Sequence, residues 1–160
     1  MKRVCIVGVG AIGGLIGARL AASGQARVSA LARGATLDAL REYGWRLQTG
    51  SVLAQSPAIA SDKAETLGRQ DLVIIAVKAP ALGAVAAQIA PLLEPDTVVL
   101  PAMNGVPWWF SSGIPALEGA SLESVDPDGR IAKAIPQHHI VGAVVHASAS
   151  TLGPGLVHQD

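Results

Sequence analysis

The chain has 160 residues, with 12 Lys and Arg against 12 Asp and Glu and a formal net charge of zero. Half of it is apolar and 15% is charged, which suits one domain of ordinary size with a substantial core. There is no basic run, and the only aromatic residues are Tyr43, Trp45, Trp108, Trp109 and Phe110, so nothing points to a nucleic-acid partner.

The first apolar run, Val4-Cys5-Ile6-Val7, reads as a short buried strand. It leads into Gly8-Val9-Gly10-Ala11-Ile12-Gly13, which has G-x-G-x-x-G spacing, and then into a helical pattern over residues 11–22 that stops at Ser23-Gly24. Strand, glycine turn and helix in this order form the fingerprint of a dinucleotide-binding βαβ unit. Gly8 permits the tight turn, Gly10 lets the backbone approach a pyrophosphate, and Gly13 lets the helix lie close on the strand. Gly17 falls on the same helix face and is expected to extend that contact. The helix N-terminus offers free N–H groups and the positive dipole end to phosphates. Lys2-Arg3 ahead of an apolar stretch imitates a signal peptide. However, Gly8, Gly10, Gly13, Gly14 and Gly17 weaken a membrane helix, Arg19 interrupts it, and the run falls short of the ~20 residues that span a bilayer. The single cysteine, Cys5, excludes an internal disulfide and reads as a small buried hydrophobe. These features point to a cytoplasmic protein without a membrane segment.

Residues 26–32 form the expected second strand. In an NAD-specific fold an Asp or Glu about 20 residues beyond the glycines bonds the ribose hydroxyls. Here Arg33 stands at that place, beside Gly34 and Thr36, and no acid does. A carboxylate there repels a 2′-phosphate and a guanidinium pairs with it, so Arg33 reads as a selector for NADP. A charge-assisted hydrogen bond contributes about 1.5–3 kcal/mol, on the order of a tenfold to hundredfold preference. A short helix is expected over 36–43, ending at Gly44. A β-hairpin follows, formed by 45–48 and 52–55 around Thr49-Gly50-Ser51, and then a short helix over 63–67.

Residues 71–77 are the clearest buried parallel strand, ending at Lys78-Ala79-Pro80. Lys78 therefore stands at the carboxyl end of a core strand, the edge where open α/β sheets bind ligands. A helix is expected over 81–93, opened by Pro80 and with Pro91 near its end. Residues 97–100 form the next strand and run into Pro101-Ala102-Met103-Asn104-Gly105-Val106-Pro107, a turn by composition that points the Asn104 amide toward the same cleft as Lys78. Trp108-Trp109-Phe110 reads as a core plug or covered interface, with an aromatic wall of the cofactor cleft as the lesser alternative. Beyond it, 124–129 reads as a turn and 130–135 as a helical segment stopped by Pro136. His138 and His139 read as exposed loop residues with no metal-ligand spacing around them. Residues 140–149 form the last strong strand, and Leu156-Val157-His158-Gln159 is its hairpin partner after the Gly153-Pro154-Gly155 turn. The pattern is α/β: a Rossmann-type, doubly wound, mostly parallel sheet with C-terminal antiparallel hairpin strands, residues 1–160 making one NADP-binding domain.

Four pieces in this order, Gly8-Val9-Gly10-Ala11-Ile12-Gly13, Val77-Lys78-Ala79, Asn104-Gly105-Val106 and the stretch from Gly142 to Ser148 with its hairpin, resemble the ketopantoate reductase (2-dehydropantoate 2-reductase) family. The resemblance covers the whole chain but only the N-terminal domain of that family. It implies an oxidoreductase that reduces 2-dehydropantoate to pantoate with NADPH, on the route to pantothenate and coenzyme A. It also implies that the segment from Gly8 to Gly13 holds the pyrophosphate and Arg33 the 2′-phosphate. Lys78 would lie near the nicotinamide, Asn104 would contact cofactor and substrate, and Ser148 or its backbone would sit beside the cofactor, where the family often has alanine. His146 shares that segment but has no identified partner and is read as a strand residue. Family members continue into a helical domain that carries the general-acid lysine. The chain is therefore expected to be the cofactor domain of a longer reductase, binding NADP(H) but turning over little by itself, with Lys78 and Asn104 as the substrate-side candidates and no metal. Its partner would be a small 2-oxo acid, with a homodimer left open. The alternatives are a stand-alone NADP-binding sensor module and a related reductase of another 2-oxo acid.

Overall fold

The computed structural model describes residues 1–117, 119–120 and 122–159. The chain opens with β1 (Lys2–Val7) and α1 (Ala11–Ser23), which stops where Gly24 turns left-handed (φ 66°) and donates its N–H to the Ala21 carbonyl. Then come β2 (Ala26–Leu31), α2 (Gly34–Tyr43), the hairpin strands β3 (Trp45–Thr49) and β4 (Val52–Ser56), and a three-residue strand, β5 (Ile59–Ser61). The second half holds α3 (Ala64–Leu67), β6 (Leu72–Ile75), α4 (Leu82–Ala86), β7 (Val98–Pro101), α5 (Arg130–Ala134), β8 (Ser150–Gly153) and β9 (Leu156–Gln159).

Five strands pair, all parallel, in the order β5-β2-β1-β6-β7. Numbered among themselves these are strands 3-2-1-4-5, so the winding direction reverses between β1 and β6. Alternation along the strands sorts their side chains into two cores. Val4 and Ile6 of β1 join Val28, Ala30 and Ile74 beneath Leu15 and Ala18 of α1 and Leu37 and Leu40 of α2. Cys5 and Val7 join Val73, Ile75 and Val99 on the opposite face, under Leu82 and Val85 of α4 and Ile131 of α5. Both faces of the sheet are thus covered, which explains why its strands are apolar runs rather than alternations.

A second, mixed sheet has the order β4-β3-β9-β8; β3 pairs antiparallel with β4 and parallel with β9, and β8 closes a hairpin on β9. It covers the outer side of α1. Added Cβ atoms on Gly14 and Gly17 would lie 2.4 Å from Val157 Cγ2 and 2.2 Å from the Trp45 ring, so these glycines admit the second sheet. Gly17 therefore serves a contact with β3 rather than prolonging the contact with β1. A helix lined with small apolar residues on several sides is what two flanking sheets require.

Four other expectations change. The helix over 81–93 is α4 alone, followed by a 3-10 turn at Ala90–Leu92; Pro91 has no N–H to donate and its ring clashes with an α-helical carbonyl four residues earlier. The strand over 140–149 is reduced to one parallel bridge, Val99 with Ile140, after which 141–149 runs without a ladder and the hairpin partner of β9 is β8. The expected pair of exposed histidines splits: His138 is exposed, whereas His139 is buried with Nδ1 2.8 Å from the Thr97 carbonyl oxygen. In the aromatic trio Trp108 is buried and meets Trp109 edge-on at 4.4 Å, while Phe110 is 44% exposed.

Candidate functional site

The winding reversal leaves a crevice at the carboxyl ends of β1, β2 and β6, where doubly wound sheets bind nucleotides. A cleft of about 600 Å³ lies there, and among its lining are Gly8, Val9, Gly10, Arg33 and Lys78. The loop from β1 into α1 is fixed by its neighbours: Gly8 N–H donates to the Leu31 carbonyl and Ala76 N–H to the Val7 carbonyl. Gly8 has φ +89°, and a Cβ there would lie 2.4 Å from Val77 Cγ1. A Cβ on Gly13 would lie 2.0 Å from the Gly8 carbonyl oxygen and 3.1 Å from Ala76 Cβ, so Gly13 is what lets α1 begin this close to β1 and β6. Gly10 is different: the position of its missing Cβ faces open space, with nothing beyond its own stretch of chain within 4 Å.

Gly10 is also the N-cap of α1, without a side-chain cap and without an acidic residue in the first turn. The opening N–H groups of α1, those of Ala11, Ile12 and Gly13, have no partner within the helix. An uncapped helix end and a glycine open toward a cleft fit an anionic diphosphate, through N–H donors and the helix dipole together. The second helix repeats this arrangement. Arg33 is the N-cap of α2, again with no side-chain cap and no acid in the first turn, and its exposed guanidinium lies beside the same cleft. Lys78 follows β6 with an exposed side chain that forms no hydrogen bond or ion pair among the described residues.

The other expected residues lie elsewhere. Asn104 belongs to a second, more apolar groove of about 730 Å³ together with Trp108, Trp109 and Gly142. The segment Ala79–Ala86 separates the two grooves: Ala81, Ala84 and Val85 face the cofactor-type cleft, whereas Ala79, Pro80, Leu82 and Gly83 face the other. The Asn104 amide is engaged at both ends, its Nδ2 donating to the Val145 carbonyl at 3.1 Å and its Oδ1 accepting the Val145 N–H at 2.8 Å. One side chain thus stands in for a strand and holds the ladderless segment 141–149. Ser148 and His146, both exposed on that segment, line neither groove. The tryptophans wall the second groove and not the cleft beside the glycine loop. Burial pushes the Cys5 thiol up to about 11, which leaves it an inert core group. Among the described residues no cluster of His, Cys, Asp or Glu is placed to hold a metal ion.

Two polar residues of the cleft escaped the sequence reading, Asp62 and Gln88. Asp62 follows β5, a strand too short to show in the pattern; Gln88 lies where α4 ends. The signal that could have found Asp62 is positional: an acid directly after an Ile-Ala-Ser run, in the stretch where a third core strand was due.

A parallel sheet of this order, with a glycine loop at the winding reversal and cationic residues after neighbouring strands, defines a Rossmann-type dinucleotide-binding domain. Comparison with known proteins narrows the class. The description "Ketopantoate reductase PanE/ApbA" belongs to the family profile that matches residues 4–160, so the chain belongs to the ketopantoate reductase family, a family of oxidoreductases that use a nicotinamide cofactor. A curated 2-dehydropantoate 2-reductase from Mesorhizobium japonicum is 42% identical over 156 residues, 97% of this chain and 48% of that protein. A crystal structure from Ralstonia solanacearum, provisionally assigned as a ketopantoate reductase, superposes with TM-score 0.96 at 52% identity, over 100% of this chain and 50% of that one. A ternary structure of D-mandelate dehydrogenase with NADH and anilino(oxo)acetate shares the fold, with TM-score 0.77 at 21% identity over 99% of this chain and 45% of that one. The chain spans about half the length of the relatives it matches. No helix among the described residues is long and apolar enough to cross a membrane.

Proposed function

We propose that this chain is the NADP(H)-binding domain of a cytoplasmic oxidoreductase that reduces a 2-oxo acid, with 2-dehydropantoate as the first candidate substrate. The observation that carries the reading is the convergence of the glycine loop, Arg33 and Lys78 on one cleft. The N–H groups at the start of α1, over Ala11, Ile12 and Gly13, hold the pyrophosphate, and Val9 flanks it. Arg33 and the uncapped start of α2 hold the 2′-phosphate, and Lys78 supplies positive charge farther along β6. Bound NADPH would supply the hydride. Reduction also needs a proton for the developing alkoxide, and neither Lys78 nor His146 has a partner among the described residues that would mark it as the donor. Asn104 contributes by holding the segment 141–149, which carries Ser148, in place. Turnover is accordingly assigned to protein that includes the half which the relatives possess and this chain does not match.

The test is a pair of titrations with NADPH and NADH on the wild-type chain and on Arg33→Ala. Loss of a charge-assisted hydrogen bond should lower the NADPH preference about tenfold to a hundredfold and leave NADH affinity almost unchanged. An unaltered NADPH/NADH ratio removes Arg33 from the site. NADPH oxidation against a panel of 2-oxo acids then ranks the substrates.

A further inference from the structure

The cofactor-type cleft carries a carboxylate that a polyanionic ligand should not tolerate without reason. Its polar side chains are Arg33, Thr36, Asp62, Lys78 and Gln88, and Asp62 is the one acid among them. An ionised carboxylate is an acceptor only. Close to a phosphate it would weaken binding, so its place in the lining is useful only opposite a hydrogen-bond donor.

Its position follows from strand register. β5 pairs with β2 so that Ser61 lies beside Leu31, and Ala32 N–H donates to the Ser61 carbonyl at 3.0 Å. Asp62 is the next residue and therefore stands beside Ala32, about 4.8 Å outward across the sheet. It is thus one strand farther from the glycine loop than Arg33. Its backbone is held: the buried Ser61 hydroxyl accepts the Lys63 N–H at 3.0 Å, closing a turn over Asp62. Its side chain is exposed and forms no hydrogen bond or ion pair among the described residues.

Adenosine has few donors to offer. The end of β2 reads the ribose; with Arg33 at that end the 2′ position would carry a phosphate, and the 3′-hydroxyl would remain as the ribose donor beside it. The cleft also has an aliphatic lining, Leu31, Ala32, Ala81, Ala84 and Val85, that would suit the purine ring beyond the ribose. Of the two donors left, the 3′-hydroxyl belongs to the ribose at the end of β2, and the exocyclic 6-amino group of the purine is the one that extends to an acceptor one strand farther out. We propose that Asp62 reads the base: its carboxylate accepts a hydrogen bond from the adenine 6-amino group and selects 6-aminopurine over 6-oxopurine dinucleotides. This rests on the dinucleotide reading of the cleft given above.

The test uses NADPH and its 6-oxo analogue, reduced nicotinamide hypoxanthine dinucleotide phosphate, titrated into the wild-type chain, Asp62→Ala, Asp62→Asn and Arg33→Ala. Matched thermal unfolding of the variants controls for folding. The wild type should prefer the 6-amino form by about tenfold or more, because the oxo group sets an acceptor against the carboxylate. Asp62→Ala should bring the two ligands within about twofold, and Asp62→Asn, whose amide donates as well as accepts, should do the same or reverse the order. Arg33→Ala should keep the base preference while losing the NADPH/NADH preference, which separates the two readings. Equal wild-type affinities, a base preference that survives Asp62→Ala, or NADPH binding that tightens in Asp62→Ala would each overturn the proposal. Failure of every dinucleotide to bind would overturn it together with the reading it rests on.

Discussion

Gly10 and Gly13 separate function from folding within one turn of chain. Gly10 has φ −86° and ψ −157°, extended backbone that alanine adopts, and a Cβ there meets nothing beyond its own stretch of chain within 4 Å. Gly10→Ala should therefore cost no more than about 1 kcal/mol, the loss of a glycine N-cap without any clash. Its methyl group would project into the space through which a diphosphate reaches the α1 N–H groups. Losing even one charge-assisted hydrogen bond there costs about 1.5–3 kcal/mol, so NADPH affinity should fall at least tenfold. Gly13→Ala should behave in the opposite way. Its Cβ would lie 2.0 Å from the Gly8 carbonyl oxygen, a backbone atom that cannot swing aside, and 3.1 Å from Ala76 Cβ. Overpacking of this kind costs about 1–3 kcal/mol, or roughly 2–12 °C in melting temperature for a domain of this size. Urea denaturation measures the first quantity and calorimetric titration with NADPH the second. Wild-type NADPH affinity in Gly10→Ala, or destabilisation equal to that of Gly13→Ala, would refute the reasoning.

Two more expectations concern elements away from the cleft. Asn104→Ala removes both bonds to Val145 and should free its amide to exchange, at a cost of about 0.5–1.5 kcal/mol per bond. Asn104→Asp keeps the acceptor for the Val145 N–H and should retain that protection; equal protection in both variants would show that the side chain does not hold the segment. At the amino ends of β1 and β6, Asp71 accepts the Arg3 backbone N–H at 2.6 Å and pairs with its guanidinium at 3.3 Å, which holds its carboxyl below the usual carboxylate range. A depressed folded-state pKa stabilises above the unfolded-state value, about 3.9, and that contribution is lost as pH falls through the folded-state value. The stability gap between wild type and Asp71→Asn should be constant near neutrality and shrink below about pH 4; a gap that widens in acid would reverse the assignment.

The parts that could be read from sequence are those where geometry demands a residue type. Only glycine tolerates the Gly8 backbone and the Gly13 contact, so the loop announced itself, and the NADP reading of Arg33 depended on counting from that loop. Strands buried on both faces, such as Val73 to Ile75, were visible as apolar runs. What stayed hidden depends on partners distant in sequence. Ile59–Ser61 is a strand because β2 offers it an edge, not because three residues show a period. The segment 141–149 has the apolar content of a strand, yet beyond Ile140 it finds no neighbour, and the Asn104 side chain takes the place of one. Gly17 signalled close packing, but nothing local said that it and Gly14 would meet Trp45 and Val157 of a second sheet. Asn104 was expected to face the cleft with Lys78; a short helical ridge instead places the two on different grooves. Sequence order along the sheet edge does not reveal such a ridge.

If the reading is right, the cleft of the glycine loop and Arg33 receives the dinucleotide and the larger groove of Trp108 and Trp109 does not. Backbone amide shifts of the isotopically labelled chain during NADPH titration test it most directly. The largest changes are expected at Gly8, Gly10, Ala11 and Ile12 and at Arg33 and Ala35, with small changes at Gly142 and Ala143. Changes concentrated at Gly142, Ala143 and the Trp109 amide, with the glycine loop unmoved, would contradict it.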